Sequence, residues 1–350
     1  MPQIPSSNLV SIVIPNWNGK EYLDPCLTSI YQQTYKNFEA IVIDNGSKDD
    51  SVDFLKTHYN TVKIIELPVN TGFSHAVNLG IKASMGEYIA LINNDTVLDA
   101  DWVKIMVETI EKHPETGSVA CKMLMYNDPS YLDGAGDGYR RGGLPGRIGH
   151  RERDLGQFNK TRYVMGACGG AALYRKSALD KVGLFDEDYF AYLEDVDLGL
   201  RLQSAGYKCL YTPQAIIYHV GCGTTGSGYS PMVVALSSQN NINTIVKNLP
   251  FILIVKFLPQ IFYFQLYYFL AVTIIGKQPI AWFKGSFKAL LMLPKMLKKR
   301  YENFKIRKIT VSQLEKIIID SENELKESKM RLNNQHLRQN SLKMKVPHNN

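Results

Sequence analysis

No strand-to-helix loop in the first hundred residues spells Gly-x-Gly-x-x-Gly, and Gly-x-x-x-x-Gly-Lys-Ser/Thr occurs nowhere in the 350-residue chain. A dinucleotide fingerprint after the first strand and a P-loop are both excluded, so a bound diphosphate would need another device, such as a metal. Cysteine is scarce: Cys26, Cys121, Cys168, Cys209 and Cys222 are odd in number and form no Cys-x-x-Cys. That excludes a disulfide framework and a zinc ribbon, and it suits a reducing cytosol. The first nine residues lack a basic start and an apolar core, so no secretory leader is read there. There is no internal repeat. The formal charge of +7 has a local origin, because residues 295–350 hold 14 Lys or Arg against 6 Asp or Glu. The first 294 residues are close to neutral, which argues against a nucleic-acid partner.

What is present is an alternation. Val10–Pro15, Glu39–Asp44, Lys63–Leu67 and Tyr88–Asn93 are short apolar runs that read as strands, and Glu21–Gln33, Ser51–His58 and Phe73–Ala83 between them carry helical spacing. Strands separated by helices predict an α/β fold with a mostly parallel sheet and helices on both faces. The polar residues ending each strand then gather along one edge, where open α/β sheets bind ligands.

Those ends are Pro15-Asn16-Trp17-Asn18-Gly19, Asp44-Asn45-Gly46-Ser47, Asn70-Thr71-Gly72-Phe73 with Asn78 beyond, and Asn93-Asn94-Asp95-Thr96. Asp44 can accept hydrogen bonds from a base or ribose, or cap a helix. Gly72 at a helix mouth offers amides to an anion, or is a plain connection. Asp95 can hold a hard cation beside phosphate oxygens, although Asn-Asp pairs also suit turns. Downstream, Glu194-Asp195-Val196-Asp197 reads as a helix entrance, with Leu198 and Leu202 facing a core and Arg201 spaced to pair with Asp197. Acidic residues in a first turn favour the helix dipole, or one of them acts as a general base. His219, ending an apolar run, is a structural histidine or a metal ligand. The glycine-rich stretch from Asp133 to Arg147 is expected to be a mobile loop, its arginines solvated or meeting an anionic lipid diphosphate. Gly166 to Ala171 precedes a strand, and its small residues permit close approach of a sugar or simply tight packing.

In this order and at these spacings, the motifs resemble glycosyltransferase family 2, with the GT-A fold, close to its rhamnosyltransferase-like branch. They include Val13-Ile14-Pro15-Asn16-Trp17-Asn18, Val42-Ile43-Asp44-Asn45-Gly46-Ser47, Asn78-Leu79-Gly80, Gly183-Leu184-Phe185-Asp186-Glu187 and Glu194-Asp195-Val196-Asp197, and they span residues 8 to 225. The resemblance implies a metal-dependent, inverting hexosyltransferase. It assigns Pro15, Asn16, Asn18, Asp44, Gly72, Asn78, Asn94 and Asp95 to the nucleotide-sugar donor, and Asp95 with His219 to Mg²⁺ or Mn²⁺. Asp195 becomes the base, supported by Glu194 and Arg201. The metal motif departs from the family's paired carboxylates, since it reads Asn93-Asn94-Asp95. No Gln-x-x-Arg-Trp of the processive synthases is present, so one sugar per encounter is expected. The implied donor is dTDP-rhamnose or a UDP-sugar, and the acceptor a glycan or lipid-linked glycan. A nucleotidyltransferase and a non-catalytic scaffold of the same fold are the competing classes.

The organisation follows. Residues 1–125 form the nucleotide-sugar half and 126–230 the acceptor and base half of one domain, 231–300 a helical membrane-associating region, and 301–350 a basic, partly disordered tail. Phe257 to Ile275 is uncharged, but it holds Pro259, two glutamines and many interface-preferring tyrosines. Trp282, Phe283, Phe287, Leu290 and Leu291 then alternate with lysines. This predicts an in-plane, basic amphipathic anchor at the cytoplasmic face of the cell membrane, with a helical subdomain packed on the core as the alternative.

Overall fold

The computed structural model describes residues 8–221 and 229–344. Its elements run β1 (Val10–Asn16), α1 (Lys20–Tyr31), β2 (Phe38–Asp44), α2 (Ser51–His58), β3 (Lys63–Glu66), α3 (Phe73–Ala83), β4 (Tyr88–Ile92), β5 (Thr96–Leu98) and α4 (Trp102–Lys112). There follow β6 (Thr116–Met125), β7 (Leu132–Gly134), β8 (Asp137–Tyr139), β9 (Pro145–Arg147), β10 (Arg162–Val164), β11 (Ala171–Arg175), α5 (Lys176–Val182), a 3₁₀ turn (Glu187–Tyr189), α6 (Glu194–Ser204) and β12 (Lys208–His219). Helices α7 (Pro231–Asn248), α8 (Phe251–Lys256), α9 (Leu258–Ile274), α10 (Pro279–Ile306) and α11 (Val311–Met344) complete the chain.

The main sheet has the order β10-β12-β6-β11-β4-β1-β2-β3, with β5 on β12 and β7 on β6. Strands β4, β1, β2 and β3 are parallel, as the alternation predicts. Beyond them, β11 runs antiparallel between β4 and β6, and β12 is parallel to β6. Strand pleating sorts the core into two layers. Ile12 and Ile14 of β1 pack with Leu23, Leu27 and Ile30 of α1 and Trp102 and Met106 of α4, whereas Val13 packs with Ala76, Val77 and Ile81 of α3 and Leu198 and Leu202 of α6.

The glycine-rich segment is not a mobile loop. It folds into β7, β8 and β9, largely buried, and its glycines are seats for helices from the far end of the chain. A Cβ on Gly138 would lie 2.7 Å from Leu325 of α11, one on Gly142 2.1 Å from Phe264 of α9, and one on Gly143 2.3 Å from Ile245 of α7. Helix α11 is tied down further by Ser321 Oγ, which accepts from the Tyr139 amide at 2.8 Å, and by Glu322, which accepts from Arg141. It runs past Asn333, where composition predicts disorder, to Met344; residues 345–350 lie outside the described residues.

Helix α10 has two faces. Ala281, Gly285 and Ala289 are buried, and Gly285 sits so close to Ala235 of α7 that a Cβ would meet its carbonyl oxygen at 2.1 Å. On the opposite side, at about 100° per residue, Phe283, Phe287, Leu290, Leu297, Tyr301 and Phe304 are exposed. Among the described residues no helix is long and apolar enough to cross a membrane. A Gly-x-Gly-x-x-Gly spelling does occur at Gly221 to Gly226, after the last strand, and residues 222–228 lie outside the described residues.

Candidate active site

A cavity of about 510 Å³ opens at the C-terminal edge of the parallel strands, lined among others by Pro15, Asn16, Gly72, Asn94, Asp95, Glu194, Asp195 and His219. Residues from distant stretches of sequence meet there because of strand register. The antiparallel pairing of β5 with β12 sets Thr96 opposite His219, and the Val220 amide donates to the Asp95 carbonyl at 3.0 Å. His219 Nε2 thereby comes within 3.3 Å of Asp95 Oδ1. Pairing of β11 with β4 continues as a bond from the Asn93 amide to the Gly170 carbonyl, which brings Gly169 to the cavity. The Gly169 amide donates to Asp195 Oδ2 at 2.9 Å, and the Val196 amide to Asp195 Oδ1 at 2.8 Å. Two backbone donors thus hold the Asp195 carboxylate where α6 begins.

Asp133, which the sequence places in an expected loop, is central. Its Oδ2 accepts from His219 Nδ1 at 2.8 Å and from Arg147, while His150 lies nearby. Burial alone would raise the Asp133 carboxyl; the Arg147 charge and the bonds from His150 and His219 instead hold it far below the usual carboxylate range. Burial works against a charged His219, but the bond to Asp133 and the neighbouring Asp95 carboxylate outweigh it and raise the imidazole to about 9. A carboxylate that accepts the Nδ1–H leaves Nε2 facing Asp95, so that a cation displacing the Nε2 proton would meet an oriented nitrogen, the usual preparation of a histidine for a metal. Asp95 Oδ1 is itself buried and accepts no well-aligned hydrogen bond. Asp95 and His219 therefore fit a divalent cation.

Asp137, Cys168 and Asp195 also place one ligand atom each within 4.8 Å of one another. The Arg147 guanidinium already donates to Cys168 Sγ at 3.2 Å, and burial pushes that thiol well up, so this cluster is the poorer cation site. Burial, and then the Asp195 charge, push the Asp137 carboxyl up to about 7, against the pull of Arg147. Burial and the Asp195 charge likewise push Glu194 well above its ordinary value.

Other expected site residues are placed differently. Asp44 lies behind the cavity wall and accepts from Asn16 Nδ2 at 3.0 Å and the Ser47 amide at 3.0 Å; Asn16 Oδ1 in turn accepts from Asn94. Asn18 is outside the lining, and its Oδ1 accepts from the Lys48 amide at 2.7 Å. Asn78, expected at the donor, is a structural tie instead: it donates to the Phe185 carbonyl and Glu187 and accepts from the Phe185 amide, and it is outside the lining as well. Arg201 pairs with Asp197 at 2.9 Å as the spacing predicts, and its remaining donors satisfy the carbonyls of Val182, Gly183 and Leu184. It supports the turn before α6 rather than the Glu194–Asp195 pair. Sequence reasoning missed Asp133, Asp137, Arg147 and the 190–193 rim; carboxylates recurring at Asp133 and Asp137 were the available signal, masked by the glycines.

Residues 11–183 match the family model described as Glycosyl transferase family 2. The chain carries a family 2 glycosyltransferase domain. It is 30% identical over 221 residues to the poly-beta-1,6-N-acetyl-D-glucosamine synthase of Staphylococcus epidermidis, covering 62% of this chain and 51% of that protein. It is 26% identical over 246 residues to the N-acetylglucosaminyl-diphospho-decaprenol L-rhamnosyltransferase of Mycobacterium tuberculosis, covering 63% and 78%. The chain thus spans about half the length of the synthases it matches. The fold is that of GalNAc-T7 with UDP, GalNAc and Mn²⁺ (TM-score 0.57, 17% identity, 69% of this chain and 48% of that one). It is also that of the mannosyltransferase PcManGT from Pyrobaculum calidifontis in complex with GDP-Man and Mn²⁺ (TM-score 0.51, 15% identity, 85% of each chain).

Proposed function

We propose that this protein transfers a hexosyl unit from a nucleotide-sugar donor, dTDP-rhamnose or a UDP-sugar, to a hydroxyl of a glycan or lipid-linked glycan, one residue per encounter and with inversion. The observation carrying this reading is that Asp95, His219 and Asp195 share one cavity at the strand ends, with Asn16 and Gly72 on its wall. Asn16, steadied by Asp44, and the amides at the mouth of α3 receive the nucleotide part of the donor. Asp195, fixed by the Gly169 and Val196 amides, takes the proton of the acceptor hydroxyl as its oxygen bonds to the anomeric carbon; the bond from that carbon to the diphosphate breaks, and the nucleoside diphosphate leaves with the electron pair. Asp95 and His219 would hold Mg²⁺ or Mn²⁺, which when bound neutralises charge on a departing diphosphate.

Location belongs to the same proposal. Helices α8 to α10 expose Phe251, Leu258, Phe262, Ile274, Phe283 and Phe287 among many large apolar side chains, with Lys284, Lys288 and Lys298 exposed beside them. A surface of this kind fits the headgroup boundary of an anionic bilayer, and we place the enzyme on the cytoplasmic face of the cell membrane.

The test is turnover of dTDP, UDP, GDP and CDP sugars with glycan or lipid-linked acceptors, with and without Mn²⁺. Release of nucleoside diphosphate that depends on acceptor supports transfer. Release of pyrophosphate would mean a nucleotidyltransferase, and no release with any donor a scaffold. Asp195→Asn is expected to lower turnover about 10²- to 10⁴-fold while leaving donor affinity within a few-fold; near-normal turnover would remove Asp195 from the role of base.

A further inference from the structure

Immediately before Glu194 and Asp195 the backbone adopts three conformations that side-chain-bearing residues rarely take: φ is +62° at Phe190, +69° at Tyr192 and +67° at Leu193. Phe190, with ψ of −65°, is the centre of a γ-turn closed by the Ala191 amide on the Tyr189 carbonyl at 2.7 Å, the rare and strained form of that turn. Such a run persists only where the surroundings enforce it. One side chain does so. The Asn240 amide nitrogen, on α7 and fully buried, lies 2.9 Å from the Tyr189 carbonyl, 2.9 Å from that of Ala191 and 2.8 Å from that of Tyr192. Its neighbour Gln239 donates to the Asp188 carbonyl at 3.2 Å and to Asn240 Oδ1 at 3.1 Å, which orients the amide. Thr244, one turn on, meets the Tyr189 hydroxyl at 2.9 Å.

The segment so held is a wall of the cavity. Phe190 packs against Gly72, where a Cβ would come within 2.6 Å of its ring, and the Phe190 carbonyl accepts from the Ser74 amide. Leu193 begins α6, which carries Asp195 to the Gly169 amide.

We infer that Asn240 is a positioning residue: it locks the 189–193 turn and through it sets where the Asp195 carboxylate stands, so that α7 of the helical region is part of the catalytic apparatus. This rests on Asp195 being the base, and the experiment separates the two ideas. In the full chain, Asn240→Asp keeps the shape but removes both N–H donors; Asn240→Ala is the companion without a buried charge, in case the first does not fold. Hydrogen exchange is followed at peptides covering 165–172 and 189–196, together with kcat per folded molecule and donor Kd. The expected result is faster exchange in both peptides, including the Gly169 amide, a loss of about 10²-fold in kcat, the scale of a 1 Å misplacement, and a donor Kd changed less than about threefold. A merely structural asparagine would lower the folded fraction but leave both kcat per folded molecule and exchange at 189–196 and Gly169 unchanged, which overturns the proposal. Faster exchange in both peptides with undiminished kcat would uphold the clamp and instead refute Asp195 as base.

Discussion

Replacing Asp133 by Asn tests how the proposed cation site is built. The native carboxylate receives the His219 Nδ1–H at 2.8 Å, and that bond fixes which imidazole nitrogen faces Asp95. A hydrogen bond to a charged partner contributes about 1.5–3 kcal/mol and one to a neutral partner about 0.5–1.5. Exchanging one for the other should therefore cost cation binding about 1–2 kcal/mol, or roughly 5- to 30-fold, overlapping the range expected for losing a ligand's hydrogen-bonded carboxylate. The proton complicates the measurement in a useful way. With His219 raised to about 9, a metal must displace a proton at neutral pH, so native affinity should rise as pH climbs from 7 and level off near 9. Asp133→Asn removes part of what holds that proton. Its curve should level off at lower pH and at weaker affinity, so that the two curves lie close near pH 7 and part above 8. Calorimetric titration with Mg²⁺ across pH 6.5–9.5 gives both. Parallel curves, or an unchanged plateau, would refute the arrangement of Asp133, His219 and cation.

Two further outcomes concern the helical region. Phe283→Ser with Phe287→Ser removes two exposed aromatic rings from α10; burying a Phe side chain is worth about 1.5–3 kcal/mol, so partition onto anionic vesicles should fall at least about 10-fold in a sedimentation assay with little change in melting temperature, and unaltered binding would reject α10 as the docking face. Glu322 is opposed by its burial, but hydrogen bonds from Arg141 and Lys326 hold it down at about 2. A depressed acid stabilises the fold fully above its unfolded value near 4.5 and loses that contribution as pH falls toward 2. Acid titration of Glu322→Gln should accordingly show a shallower loss of stability between pH 4.5 and 2 than the native chain; identical slopes would show that α11 is not fastened there.

The parallel half of the sheet was legible because short apolar runs alternate with stretches of helical spacing and an Asn or Asp follows each run within a few residues, features set by near neighbours in the chain. Asn16, Gly72, Asn94 and Asp95 were read on that basis, Asp195 and His219 took their roles from the resemblance to family 2, and the structure brings all six to one cavity. Asn78 and Arg201 were read as site residues because polar side chains near a site look alike in sequence, whether they face a ligand or a carbonyl. The stretch from Asp133 to Arg147 was misread for a different reason. Glycine signals freedom to a local reading, yet here it makes room for Leu325, Phe264 and Ile245, whose positions nothing nearby in the chain announces. Asn240 was invisible in the same way, since its partners are carbonyls some fifty residues earlier.

The seating of α11 on β8 and β9 sets a timetable for synthesis. Asp95, Asp133, Asp195 and His219 all leave the ribosome before Ser321, Glu322 and Leu325, the residues that grip the glycine-rich strands. The last strand of the main sheet ends at His219, so about 100 residues separate a complete set of strands from Ser321; at roughly 5–20 residues per second that gap lasts about 5–20 s. Nascent chains therefore pass through an interval in which every strand has been made but the residues that grip β8 and β9 have not.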